Sequence, residues 1–253
     1  MAIAIDQQYI DDIPVLIVHE QTQQVAPLPV IVYFHGFTSA KEQNLPLAYL
    51  LAESGYRVVL PEAMHHGERR RNISDQEVQF AFWEVVKQNL TDLAKIETWL
   101  TNQGLLEAGR FAVAGTSMGG ITTAAALTQY ESIRAAGIMM GTANMQEMAD
   151  YLLKGIEAQG IELPFTEEEL QEQLDQLKTI DLSQQIEALN DRPLFIWHGE
   201  EDPVVPYNQA VEFYRQLQEA GAKHVEFVSE PGRDHKVSRD AMLGLRDWLM
   251  SHL

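Results

Sequence analysis

A serine framed as Gly115-Thr116-Ser117-Met118-Gly119, with Gly120 behind it, is the residue of this chain best placed to attack an acyl carbon. A hydroxyl is a weak nucleophile by itself: it needs an imidazole to take its proton and a carboxylate to fix the imidazole's tautomer. It also needs two preorganised N–H donors where the carbonyl oxygen gains charge. The apolar run FAVAG (111–115) precedes the serine and the helical run ITTAAALTQY follows it. That is the strand-to-helix setting of a nucleophile elbow, in which small neighbours let the chain turn tightly and hold Oγ clear of the sheet edge. The same glycines could instead build a phosphate-binding turn, but no GxxxxGK[ST] or GxGxxG pattern supports that version.

The other parts of such a machine are present in order. His35-Gly36-Phe37-Thr38 ends the apolar run VIVYF (30–34). The loop after this strand commonly gives one oxyanion donor and the residue after the nucleophile the other, so the Phe37 and Met118 amides are the expected pair. His35 and Gly36 are placed at the substrate, with His35 organising the loop and not reacting. Asp202, in HGEEDPVVP, lies three residues beyond the run PLFIWHG (193–199), and His235, in PGRDHKVS, falls between the last strand and the last helix. Both sit on loops at strand ends, where ligands bind in parallel sheets. Competitors exist: Glu200 and Glu201 are adjacent carboxylates, His224 begins a strand and His252 is in the tail. His65-His66-Gly67-Glu68 could suggest a metal, but neighbouring side chains diverge and no HExxH accompanies them, so no metal is expected. Arg69–Arg71 is the one basic cluster, a solvated loop unless it stands at a site mouth.

These residues need a scaffold that brings strand ends together. Short β-branched runs at 30–34, 57–61, 111–115, 136–141, 193–199 and 225–229 alternate with helical patterns near 43–54, 79–103, 118–130, 207–220 and 237–252. Near-continuous apolar strands alternating with helices predict a doubly wound, mostly parallel α/β sheet covered on both faces. The first twenty residues hold two strand-like pieces around DDIP and fit an antiparallel edge. Residues 144–191 contain no strand candidate, and Thr166 with Glu169 reads as a helix cap. The whole chain, 1–253, is therefore expected to be one domain with a helical, lid-like insertion. Apolar residues at 145, 148, 152 and 156 give that insertion a helical stripe. It is expected to cover the Ser117 site and to contact substrate through Met145, Met148 and Tyr151.

Composition narrows the partners. Acidic residues outnumber basic ones by 37 to 18, for a formal net charge of -19, and such a field repels nucleic acid and anionic lipid. With no cysteine there can be no disulfide, thiolate metal site or cysteine nucleophile. No stretch reaches the length of a membrane span, and the first twenty residues lack a leader pattern, so a soluble, cytoplasmic protein without a membrane partner is expected.

HGFTS, GTSMGG, HGEEDPVVP and the GRDH loop together resemble the α/β-hydrolase superfamily, in its dienelactone hydrolase and prolyl oligopeptidase branch, and are similar to small bacterial cytosolic esterases. The resemblance spans the chain outside 144–191. It implies an eight-stranded core, a triad of Ser117, His235 and Asp202, and no metal or organic cofactor. The chain holds no propeller domain like that of the large oligopeptidases, which weighs against peptide substrates. The expected reaction is hydrolysis of small carboxylic esters through an acyl-enzyme. Thioesters or peptides on the same machinery, or a catalytically silent ligand-binding protein on the same fold, remain the alternatives.

Overall fold

The computed structural model describes residues 1–253. Two antiparallel strands open the chain, β1 (Ile3–Ile10) and β2 (Ile13–Glu20), with Asp11 at a positive φ in the tight turn between them. Then follow β3 (Leu28–Phe34), α1 (Leu45–Glu53), β4 (Arg57–Pro61), α2 (Asp75–Phe80), α3 (Phe82–Asn102), β5 (Leu106–Thr116), α4 (Met118–Gln129) and β6 (Ala135–Met139). After β6 come α5 (Met145–Ala158) and α6 (Glu167–Leu177), and the chain ends with β7 (Leu194–Gly199), α7 (Tyr207–Glu219), β8 (Val225–Glu230) and α8 (Arg239–His252). The sheet runs β1-β2-β4-β3-β5-β6-β7-β8, antiparallel as far as β4 and parallel from there on. The eight-stranded α/β-hydrolase fold expected from the sequence is the fold observed. No helix is long and apolar enough to cross a membrane.

Side chains alternate across the strands, so each strand feeds two cores. On β3, Val30, Val32 and Phe34 pack with α3 and α4, while Ile31 and Tyr33 pack with α1 and α8. The runs on β3 to β7 are apolar because both faces are covered, while the edge strand β8 (VEFVSE) is only partly buried.

Beyond shifts of one or two residues, element boundaries differ from the sequence reading in three places. The helix expected over 79–103 is two helices, because Ser74 caps α2 reciprocally with Glu77 and the chain turns at Ala81 before α3 begins. The strand expected over 136–141 ends at Met139, since Met140 takes a positive φ of 45° and cannot continue the ladder. β5 starts five residues earlier than its apolar run, at Leu106, where it pairs with Leu28. The insertion is helical, and Thr166 and Glu169 cap α6 as their spacing suggested.

Two buried arginines tie loops to this frame. Arg57 donates to the Ala26, Leu105, Gln23 and Gln24 carbonyls. Arg192 donates to those of Leu127, Tyr130, Ala188 and Leu189, which pins the end of the insertion to the end of α4. Each guanidinium spreads its donors over carbonyls from several separate turns and so holds those turns together.

Candidate active site

Ser117 stands between β5 and α4 at φ 56° and ψ -116°, a backbone state that non-glycine residues rarely hold. The surroundings impose it. Gly115 and Gly119 lie against each other, and a Cβ at Gly119 would strike the Phe34 carbonyl, so only glycine lets the strand, the turn and the helix meet this closely. The Ser117 amide donates to Met139 O at 2.8 Å and anchors the turn to β6.

The two remaining candidates arrive from the next strand ends. His235, on the β8–α8 loop, places Nε2 2.8 Å from Ser117 Oγ and Nδ1 2.6 Å from Asp202 Oδ2. Asp202, on the β7–α7 loop, is buried, and its Oδ1 accepts the Val204 and Val205 amides at 2.8 and 3.0 Å. Burial pushes the Asp202 carboxyl up, but the hydrogen bonds from His198, His235 and the two amides outweigh it and hold the group well below the usual carboxylate range. A carboxylate that stays ionised near neutrality on Nδ1 leaves Nε2 free to accept a proton from Oγ.

The loop after β3 lies beside the serine. A Cβ on Gly36 would meet Ser117 Cβ at 3.4 Å. The Met118 amide is the first of α4 and has no acceptor within its helix, and the Phe37 amide makes no backbone hydrogen bond in its turn. Two N–H groups without a backbone acceptor thus lie on the segments that adjoin Ser117. Two histidines stiffen this loop. His66 Nε2 accepts the Thr38 amide at 3.1 Å while its Nδ1–H donates to Met64 O at 2.8 Å. His35 Nδ1 lies 2.8 Å from Gly36 O, and its Nε2 faces the Ala63 amide at 3.1 Å. Burial lowers the His66 pKa, which favours the neutral ring that can accept Thr38 N–H.

Beneath them, Lys41 is fully buried among Glu42, Glu62 and Glu68, with Nζ 2.8, 3.0 and 2.5 Å from their oxygens. These three carboxylates lie within 4.8 Å of one another, as metal ligands would. The Lys41 ammonium already sits among them, and Tyr9 and Gln7 bind Glu68 from β1. Burial pushes Glu62 up, while His35 and Lys41 pull it further down, to about 2.

A groove of about 280 Å³ opens over Ser117 and His235, lined by Gly36, Phe37, Tyr33, Leu47, Met140 and Met242 among others, with Lys236 at its rim. The expected substrate contacts need correction here. Of those named from sequence, Gly36 lines the groove, but His35 is 1% exposed and spends its nitrogens on Gly36 O and on the Ala63 amide of the segment after β4. Met145 and Met148 are buried in the core because the first turn of α5 packs inward before the helix reaches the surface. Tyr151 is exposed, and its hydroxyl donates to Pro203 O at 3.0 Å, bracing the Asp202 loop away from the groove. The arginine cluster lines a different pocket, with Tyr9, Asp12 and His65. Sequence reasoning missed Tyr33, whose hydroxyl bonds Thr116 Oγ1 at 2.5 Å under the groove. The signal was its position one residue from the strand end, on the α1 side.

The chain is similar to known proteins along nearly its whole length. Residues 47–249 match the prolyl oligopeptidase family. The chain is 40% identical to the candidate esterase YitV of Bacillus subtilis (strain 168), over 99% of this chain and 100% of that one. It is 28% identical to Esterase YjfP of Escherichia coli (strain K12), over 99% and 100%. The crystal structure of TT1662 from Thermus thermophilus superposes with a TM-score of 0.75 over 98% of this chain and 99% of that one, at 20% identity, and so shares the fold. With a family match over most of its length and a relative at 40% identity end to end, the chain is a hydrolase of the α/β-hydrolase type and belongs to the prolyl oligopeptidase family.

Proposed function

We propose that this protein hydrolyses small carboxylic esters through an acyl-enzyme formed on Ser117. One observation carries the reading: His235 bridges Ser117 Oγ and Asp202 Oδ2 at 2.8 and 2.6 Å. In this mechanism Nε2 takes the Oγ proton as Oγ adds to the ester carbonyl, and the Phe37 and Met118 amides hold the oxyanion. Collapse expels the alcohol, which receives that proton from His235. Water, deprotonated by the same nitrogen, then adds to the acyl-enzyme and releases the acid and Ser117. Asp202 stabilises the imidazolium in both halves without taking its proton.

Esters are favoured over peptides by the names of both relatives and by the groove, which at about 280 Å³ fits a small substrate. The test pairs a p-nitrophenyl ester series with acyl-thioester and peptide substrates, and with labelling by a fluorophosphonate. The wild type should be labelled at Ser117 and turn over short esters fastest. Ser117→Ala should fold, take no label and lose on the order of 10⁶ in kcat. Ordinary turnover by that variant would sink the proposal.

A further inference from the structure

Behind Asp202 stands a second histidine that the proton transfers do not use. His198 lies on β7, whose other side chains are Leu194, Phe195, Ile196 and Trp197, and it is fully buried. Its Nε2 is 3.1 Å from Asp202 Oδ2 and 3.0 Å from Val205 O. Both neighbours are acceptors, so the ring proton sits on Nε2. Nδ1 is buried with no hydrogen-bond partner. A side chain kept there only to fill space would be better as leucine or phenylalanine, which strand no polar nitrogen. The orphaned nitrogen is the cost of having a donor at Nε2, and that donor points at the carboxylate.

We propose that His198 is a positioning residue for the active site: its Nε2–H fixes Asp202 Oδ2 in place for His235 and shares that oxygen's negative charge. The inference rests on the Ser117–His235–Asp202 reading. The Val204 and Val205 amides hold only Oδ1. Without His198, Oδ2 would have His235 as its sole donor, and the carboxylate could follow the imidazole as it turns between nucleophile and leaving group. With it, the carboxylate is held on both oxygens by groups that do not move. His198 also tempers the pull of Asp202 on the imidazolium, so that His235 gives its proton up to the leaving group readily. The titratable groups facing this pair are His235 from the β8–α8 loop and Tyr207 from the start of α7, whose ring meets that of His198 at 6.0 Å.

The experiment compares the wild type with His198→Leu and His198→Gln, whose amide can reach Oδ2. It uses a short p-nitrophenyl ester, active sites counted by fluorophosphonate titration, and thermal melts alongside. His198→Leu should lose roughly tenfold in kcat with little change in KM. The acid limb of kcat/KM should rise by about half a pH unit, because a carboxylate with one donor fewer holds the His235 imidazolium more tightly. His198→Gln should recover most of both effects. If His198→Leu fails to fold, His198→Asn, whose amide falls short of Oδ2, takes its place against His198→Gln. A lowered melting temperature with kcat per titrated site and the acid limb unmoved would make His198 a packing residue. Equal impairment of the Gln variant and the donor-less variant would also overturn the proposal. A wild type that takes no label at Ser117 would instead sink the triad reading and this inference with it.

Discussion

Donors converge on Asp202 from three directions, whereas its two neighbours in sequence lead other lives: Glu200 accepts the Ser229 hydroxyl at the surface, and Glu201 is exposed. Three acids in a row made the choice open from residue types alone, and only the loop's curvature separates them. Asp202→Asn should cost roughly 10⁴ in kcat, because an amide that offers N–H to Nδ1 drives His235 into the wrong tautomer. Glu200→Gln and Glu201→Gln should stay within about twofold of the wild type, since surface changes away from such features are nearly neutral. Steady-state kinetics of the three variants checks the assignment, and a larger loss in either glutamate variant reverses it. That Ser117, Asp202 and His235 would be brought together was legible from short-range motifs and chain order. The Lys41–Glu62 pair and the Tyr33–Thr116 bond were not, as each joins residues 21 and 83 positions apart through folding alone.

At the scale of elements, the insertion is anchored more firmly than its sequence suggested. A stripe at 145, 148, 152 and 156 marks a buried face but cannot say what buries it. The structure divides it: Met145, Met148 and Ala149 enter the main core, while Leu152 and Ile156 line a small apolar cleft with Phe80, Trp83 and Phe165. Met148→Ala should therefore destabilise the protein by about 2–5 kcal/mol, as deletion of a buried side chain does. Its ester chain-length profile should match that of the wild type. Thermal unfolding and a p-nitrophenyl ester panel measure the two quantities, and a changed profile at an unchanged melting temperature would return Met148 to the substrate. The split between α2 and α3 shows the converse. Ser74 and Glu77 carry a capping box at the right spacing, a signal that a reading by apolar pattern alone passes over.

For the whole molecule, acidity sets the range of stability. Glu62 titrates near 2 in the fold against an ordinary value of 4.5, so it contributes about 3 kcal/mol above pH 4.5. Its folded pKa is depressed, so that contribution is complete above 4.5 and disappears as the pH falls toward 2; Asp202 acts in the same direction. Melting temperatures should hold near neutrality and fall between pH 4.5 and 2. Glu62→Gln should start lower, with Lys41 short of a partner, and lose less over the same interval. Parallel melting curves for the two proteins would show that this acid weakness lies elsewhere.

The strand order β1-β2-β4-β3-β5-β6-β7-β8 is nearly the order of synthesis. Residues 1–61 make one half of the sheet and later strands are added one at a time along a single growing edge. A nascent chain can therefore bury each new strand as it emerges, with no need to wait for a distant partner. The reactive parts appear in the same sequence: the oxyanion loop with the first half, the serine at the middle, the carboxylate near the end and the imidazole last. On the proposed mechanism, Ser117 therefore lacks its base until β8 and the loop that follows it have been made.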